Sequence, residues 1–317
     1  MNVLSLFDGM SCGQIALNKL NIKYNNYFAS EIDKYAIQIT KKNFPNTKHI
    51  GDVTQVLQKD LPKIDLLIGG SPCQGFSFAG KQLAFDDPRS KLFFEFVRLL
   101  KELKPKYFLL ENVRMKKEYL DIISKYLGVE PIKINSSLLS AQNRVRYYWT
   151  NIPNIEQPKE KGIVLKDILQ ADHEEKTVKD TKRNQRHYRS FEDKSLCLTA
   201  TAYKGAGNNG MTLVPIQVGM ATDINGHDIL KRIYSAQGKS PTLNACTGGN
   251  REPKIASNMT LYRKLTPIEC ERLQTVPENY TNGVSNTQRY KMLGNGWTVD
   301  VITHILKNMS LQDSNNG

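Results

Sequence analysis

The sequence predicts an α/β fold: a doubly wound, mostly parallel sheet with a second, smaller and irregular domain. Three observations carry this expectation. Short apolar runs at Asn2–Phe7 (NVLSLF), Asp65–Ile68 (DLLI) and Tyr107–Leu110 (YFLL) each stop at a glycine or an acid, as buried parallel strands do. The first run passes through a Gly-rich turn, Asp8–Gly13 (DGMSCG), into a helical stretch at Gln14–Leu20, which is how a doubly wound sheet begins. From Pro153 to about Asn258 the patterning lapses, and Lys, Asn, Gly and Thr take over.

The elements follow in order. Tyr27–Ser30 (YFAS) reads as the second strand, with Glu31 at its end, and Asp33–Asn43 as the helix behind it. His49–Val53 holds a short third strand closed by Asp52. Asp65–Ile68 then runs into Gly69-Gly70 and the loop Ser71–Lys81 (SPCQGFSFAGK), which places Cys73 just past a strand end. Ligands gather beyond the carboxyl ends of strands in such sheets, although a lone cysteine is often simply a small buried hydrophobe. Phe85–Ser90 is a polar turn, and Lys91–Leu103 has the pattern of an amphipathic helix. Glu111-Asn112-Val113 ends the strand Tyr107–Leu110. Pro131–Leu139 alternates as a strand does, and Ala141–Thr150 (AQNRVRYYWT) continues extended, with Arg144 and Arg146 on one side. In the second unit, Ser195–Thr201 and Ser240–Cys246 echo one another faintly. Thr266-Pro267 with Glu269 is a sound helix start, and Gly294-Asn295-Gly296 is read as opening the last helix.

Composition bounds the function. The 317 residues suffice for two modest domains or one large one, and 39% hydrophobic content is adequate for a core. A net charge of +13 and an isoelectric point near 9.4 point to a polyanion: nucleic acid first, an anionic membrane surface second. A solvated Lys-rich surface is the plain alternative, also for the basic stretch Lys176–Arg189. The five cysteines include no CxxC pair, which argues against a disulfide framework or a bound metal and for a reducing cytosol. Met1–Ser5 opens directly into a strand without signal-peptide character, and no apolar run is long enough to span a bilayer, so no membrane association is expected. The polar tail Leu311–Gly317 is expected to fray. DGMSCG is not GxGxxG, so an NAD-binding oxidoreductase is disfavoured.

Several of these stretches together resemble the DNA cytosine-5 methyltransferases. They are Ser71–Gln74 (SPCQ) after a strand, Glu111–Val113 (ENV), Gln142-x-Arg144-x-Arg146, Arg263–Gln274 (RKLTPIECERLQ) and the closing Gly294-Asn295-Gly296-Trp297. They span Val3–Thr150 and Leu261–Leu306 in the family's order. The first turn is closest to that of the de novo branch. The resemblance implies a Rossmann-like, class I methyltransferase fold. Residues 1–152 plus 286–317 would form the catalytic domain and 153–285 the target-recognition domain. The implied cofactor is S-adenosyl-L-methionine. Its site would be built by Phe7, Asp8, Gly9, Met10, Ser11, Cys12 and Gly13 of the first turn, Glu31 and Ile32, Asp52 and Val53, Gly70, Pro72, Leu92, and Asn295, Gly296 and Trp297. Glu31 is spaced to meet ribose hydroxyls, or else is an acid at a helix start. Asp52 would accept from the adenine amino group.

The implied reaction needs Cys73 as a thiolate nucleophile at cytosine C6. Glu111 would face N3 and the exocyclic amine, Arg146 would donate to O2, and Arg144 would brace the site. The target base must leave the duplex, at a cost of about a few kcal/mol. The implied partner is double-stranded DNA, bound by a monomer in the cytoplasm of a bacterial or phage-infected cell, at the nucleoid. A cognate restriction endonuclease would be a functional companion, not a physical one. Two alternatives stay open at this point: a relative acting on a tRNA cytosine, and a non-catalytic DNA-binding relative.

Overall fold

The computed structural model describes residues 1–71, 91–170, 176–177, 217–221, 224, 231–235, 239–240, 253–258 and 261–313. Pro72, Cys73 and the rest of the loop to Ser90 lie outside the described residues, as do the basic stretch beyond Thr177 and both halves of the internal echo apart from Ser240.

The first sheet has seven strands: β1 (Asn2–Leu6), β2 (Asn26–Ser30), β3 (Lys48–His49), β4 (Leu66–Gly70), β5 (Tyr107–Val113), β6 (Ile132–Asn135) and β7 (Val145–Thr150), in the order β3-β2-β1-β4-β5-β7-β6. The strands β3, β2, β1, β4 and β5 run parallel, and β7 is antiparallel to both β5 and β6. The fold class is therefore as expected, a doubly wound and mostly parallel α/β sheet. The chain steps outward from β1 through β2 and β3, then returns to β4 on the other side. The crevice beyond β1 and β4 is the switch point at which such sheets hold ligands.

Alternation along the strands explains why both faces are covered. On β4, Leu66 and Ile68 join one core while Leu67 joins the other; on β5, Leu109 faces one way and Phe108 and Leu110 the other. One core takes Ile15, Ala16 and Leu17 of α1 (Cys12–Lys19) and Ile39 of α2 (Lys34–Asn43). The second core takes Phe93 and Phe96 of α3 (Lys91–Leu103) and Ile123 of α4 (Lys117–Leu127). Each fully buried Leu, Ile or Phe contributes about 1.5–3 kcal/mol of transfer free energy, so burial on both faces stabilises this sheet strongly.

A second sheet of five strands has the order β8-β12-β11-β10-β9 and is formed by β8 (Lys176–Thr177), β9 (Gln217–Met220), β10 (Arg232–Ser235), β11 (Lys254–Asn258) and β12 (Leu261–Lys264). It is followed by α5 (Pro267–Leu273), α6 (Asn286–Asn295) and α7 (Val299–Asp313). Val301, Ile302, Ile305 and Leu306 of α7 return to the first core. The chain between α5 and α6 docks there as well: the Tyr280 hydroxyl donates to the Met10 carbonyl at 2.6 Å, and Asn43 Nδ2 donates to the Tyr280 carbonyl at 3.0 Å. No helix among the described residues is long and apolar enough to cross a membrane.

Four boundaries differ from the sequence reading. The third strand ends at His49, because Gly51, at φ +74°, turns the chain; Asp52 instead caps a short 3-10 helix, Val53–Gln55. The strand predicted over Pro131–Leu139 stops at Asn135, whose side chain accepts from the amides of Ser137 and Arg144 and bends the chain into a 3-10 turn. β5 continues through Glu111 to Val113, because β7 pairs with it beyond the end of β4. Gly294-Asn295-Gly296 does not open the last helix. It closes α6, and side chains, not a following turn, take up its free carbonyls: Arg144 Nη2 donates to the carbonyls of Gly294 and Gly296 at 3.1 and 3.0 Å.

Candidate active site

The turn after β1 is built on positive backbone angles: Phe7 at φ +57°, Gly9 at +58° and Ser11 at +67°. Glycine adopts this region freely, but Phe7 and Ser11 do so at a cost of about 1–3 kcal/mol each, which surrounding contacts must offset. Those contacts are present. The amides of Asp8 and Ser11 donate to the carbonyls of Ser30 and Asp8, and the Gly9 amide donates to Glu31 Oε2 at 2.7 Å. Gly13 is required by close approach, since a Cβ there would lie 2.4 Å from Ile68 Cδ1 and 2.6 Å from the Tyr27 hydroxyl. The α1 helix can therefore settle directly onto β4 and β2.

Asp8 retains some exposed surface, but its carboxyl is enclosed. Oδ1 accepts from the Tyr27 hydroxyl at 2.8 Å, while Oδ2 is buried with no hydrogen-bond partner. Burial pushes this carboxyl up to about 6. Cys12, on the same turn, is 3% exposed, and burial raises its thiol to about 12, so it stays a protonated packing group at neutral pH.

Glu31 stands at the end of β2 with both oxygens engaged: Oε2 with Gly9, and Oε1 with the amides of Ile32 and Asp33 at 2.8 Å. Carboxylate oxygens have further lone pairs, so these bonds orient the group without exhausting it. Next to it Ile32 is 76% exposed, a large apolar side chain open beside a polar cluster. Asp52 accepts from the Thr54 amide at 2.9 Å, and Val53 is buried beneath it. Leu92, at the start of α3, packs with Phe7 against the second core. A backbone cradle, an enclosed carboxyl oxygen without a partner, an oriented carboxylate and an open apolar side chain fit a cationic nucleoside cofactor.

The second cluster lies across β4 and β5. Gly70 pairs with Glu111 in register. Glu111 is 8% exposed; its Oε1 lies 2.9 Å from Arg146 Nε, and its Oε2 accepts from the Trp297 indole at 3.2 Å. The Arg146 contact is an ion pair whose Nε–H does not align with the carboxylate, and Nη1 of the same side chain donates to the Val145 carbonyl at 2.8 Å. Asn112 reaches the other way, its Nδ2 donating to Ser71 Oγ at 3.2 Å. It thus tethers the last described residue before Pro72 and Cys73.

Arg144 and Arg146 do not share a task. Arg146 meets Glu111, whereas Arg144 is 3% exposed and spans the Gly294 and Gly296 carbonyls. Burial first, and then the neighbouring Arg146 charge, lowers the Arg144 guanidinium to about 9, which leaves it charged at neutral pH. Arg144 therefore holds backbone carbonyls on both sides of Asn295. Asn295 is exposed and Gly296 half-buried. A Cβ at Gly296 would meet Met10 Cε at 2.9 Å, so the α6–α7 junction abuts the first turn.

The contacts of three residues escaped the sequence reading. Gln274 donates to the Leu293 and Gly296 carbonyls at 2.6 and 3.2 Å and accepts from Gln142 and Thr298. Asn112 tethers Ser71, and Trp297 contacts Glu111. Nothing in the sequence signals these contacts, which join segments distant along the chain.

A family model for C-5 cytosine-specific DNA methylases matches residues 1–311. The chain is 33% identical to the type II methyltransferase M1.ScrFI of Lactococcus lactis subsp. cremoris, over 97% of this chain and 77% of the relative. It is 30% identical to the type II methyltransferase M.HhaI of Haemophilus parahaemolyticus, over 98% of this chain and 94% of that one. Among solved structures, the Entamoeba histolytica methyltransferase EhMeth matches with a TM-score of 0.68 at 16% identity, covering 98% of this chain and 97% of the other. The S. pombe Dnmt2 methyltransferase matches at 0.62 and 17%, covering 98% and 99%. These two likenesses speak to the fold alone. The model match over nearly the whole chain, and relatives similar along their length, show that the chain belongs to the family of C-5 cytosine-specific DNA methylases.

Proposed function

We propose that the protein methylates C5 of a cytosine flipped out of a specific double-stranded DNA sequence, through a covalent bond between Cys73 and C6. The observation that carries this reading is the placement of Glu111. It is held on β5 between Arg146 and Trp297, directly across from Gly70, and Ser71 and Asn112 lead from there toward the Cys73 loop. Bound S-adenosylmethionine supplies an electrophilic methyl group; the family is dependent on it.

The residues divide the work as follows. The Cys73 thiolate adds to C6, and its electron pair pushes density into C5, which then takes the methyl group. A thiol with an ordinary pKa near 8.5 is only about a few per cent thiolate at neutral pH, so basic neighbours that lower it accelerate the step directly. Glu111, shared with a proton at N3 and accepting from the exocyclic amine, offsets the charge that develops on the ring and selects cytosine. Arg146 orients Glu111 and offers donors toward O2. Water removes the C5 proton, and the electron pair released expels Cys73. Arg144 keeps the α6–α7 junction in place against Met10 and Cys12. Residues 1–152 and 286–317 serve as the catalytic domain and 153–285 as the recognition domain, whose last part docks through Tyr280 and Asn43.

The test has two arms. Expression in cells without cytosine methylation, followed by bisulfite sequencing, is expected to give one protected sequence. Purified protein is expected to move labelled methyl groups to duplex DNA, and Cys73→Ala to abolish that transfer. Transfer to tRNA without transfer to duplex DNA, or an Ala variant as active as wild type, overturns the reading.

A further inference from the structure

We infer that Trp297 is a positioning residue for Glu111: its indole N–H locks the carboxylate in the orientation that meets the cytosine edge. This rests on the role given to Glu111 above.

The two oxygens of Glu111 are directed by different parts of the chain. Arg146, on the neighbouring strand, approaches Oε1, and Trp297, from the junction between α6 and α7, donates to Oε2 at 3.2 Å. The indole has little latitude. It is 9% exposed, and Gly70 forms its floor: a Cβ there would lie 2.9 Å from the indole nitrogen and 3.0 Å from Glu111 Oε2. Only a glycine at the end of β4 lets the indole and the carboxylate meet.

The backbone that presents the indole is anchored on every side. Arg144 spans the Gly294 and Gly296 carbonyls, and Gln274 also donates to Gly296. The Thr298 hydroxyl donates to Gln274 and accepts from Ser136. The Cys12 thiol lies 3.7 Å from the Trp297 carbonyl. The first turn and Glu111 are therefore joined through one residue, with the backbone of Trp297 against Cys12 and its side chain on the carboxylate. A carboxylate held at one oxygen can swing about its last torsion, which is broad. Held at both, it presents fixed acceptor directions, as recognition of two adjacent ring positions requires. Deleting the indole N–H frees that torsion.

The experiment uses the full chain and compares wild type with Trp297→Phe, which keeps an aromatic ring and removes the N–H. Methyl transfer to duplex DNA is followed with kcat and KM separated, together with the thermal melt. Turnover is expected to fall about 10- to 100-fold, the effect of losing one hydrogen bond to a charged group. KM for S-adenosylmethionine should stay within about threefold. If the Phe variant melts early, benzothienylalanine at position 297 supplies the indole shape without the N–H and is expected to show the same loss. A wild-type kcat in either variant overturns the inference. So does a loss expressed only in KM for the cofactor, which would make Trp297 a wall of that pocket and nothing more. Wild-type protein inactive on cytosine in DNA, or a fully active Glu111→Gln variant, would instead bring down the reading of the site itself.

Discussion

Replacing Asp8 with Asn isolates what it costs this fold to enclose a carboxylate beneath its first turn. Burial moves the carboxyl from 3.8 to about 6. The unfolded chain releases the proton near the lower value and the folded chain near the higher one. Between them the folded state binds more protons, so stability falls as pH rises; the cost is absent below about 3.8 and complete above about 6. A displacement of about two pH units corresponds to ~3 kcal/mol. Asn does not ionise, and its side-chain oxygen can still accept from the Tyr27 hydroxyl, which lies 2.8 Å from Asp8 Oδ1. Asp8→Asn is therefore expected to be more stable than wild type by up to about 3 kcal/mol at pH 7.5 and by about 1 kcal/mol at pH 4.5. Urea unfolding at a series of pH values measures the gap, with the slope of the transition checking that the unfolded state is unchanged. A gap that does not vary with pH, or an Asn variant less stable than wild type at pH 7.5, refutes the reasoning.

Two further outcomes are expected. Gly70→Ala places a methyl group against the Trp297 indole and the Glu111 carboxylate; methyl-transfer assays should show at least a ~10-fold loss of turnover, and urea unfolding a cost of about 1–3 kcal/mol. Arg289→Met leaves Glu271, which is fully buried and lies 3.0 Å from Arg289 Nη2, without its cation; a drop of about 3–5 kcal/mol is expected in unfolding experiments, because a buried charge loses its partner.

The fold was legible because both faces of the sheet are buried. Runs such as DLLI and YFLL must then be apolar throughout, and their ends must be marked by Gly or acids. Glu31 and Gly70 stand out in the sequence for the same reason, since each falls where an apolar run ends, just past β2 and at the last residue of β4. What could not be read depends on contacts distant in sequence. That Arg144 serves backbone while Arg146 serves Glu111 follows from where the α6–α7 junction lies, and two arginines on one extended stretch look alike until that junction is placed. The Gly294–Gly296 segment was misjudged because glycines are compatible with either end of a helix, and only the side chains that satisfy its carbonyls decide which. Asp52 was placed at a strand end because Gly51 was not recognised as the turn that breaks the ladder.

The central claim is that one cysteine of five bonds to the base. A pooled random-sequence duplex synthesised with 5-fluorocytosine tests it most directly, because fluorine at C5 cannot leave as a proton does and the adduct is trapped. With S-adenosylmethionine present, the account predicts a covalent protein–DNA complex whose nucleotide maps by mass spectrometry to the peptide carrying Cys73, and no complex with Cys73→Ala. Methyl transfer to ordinary duplex DNA without any trapped complex, or an adduct on a different cysteine, would contradict it.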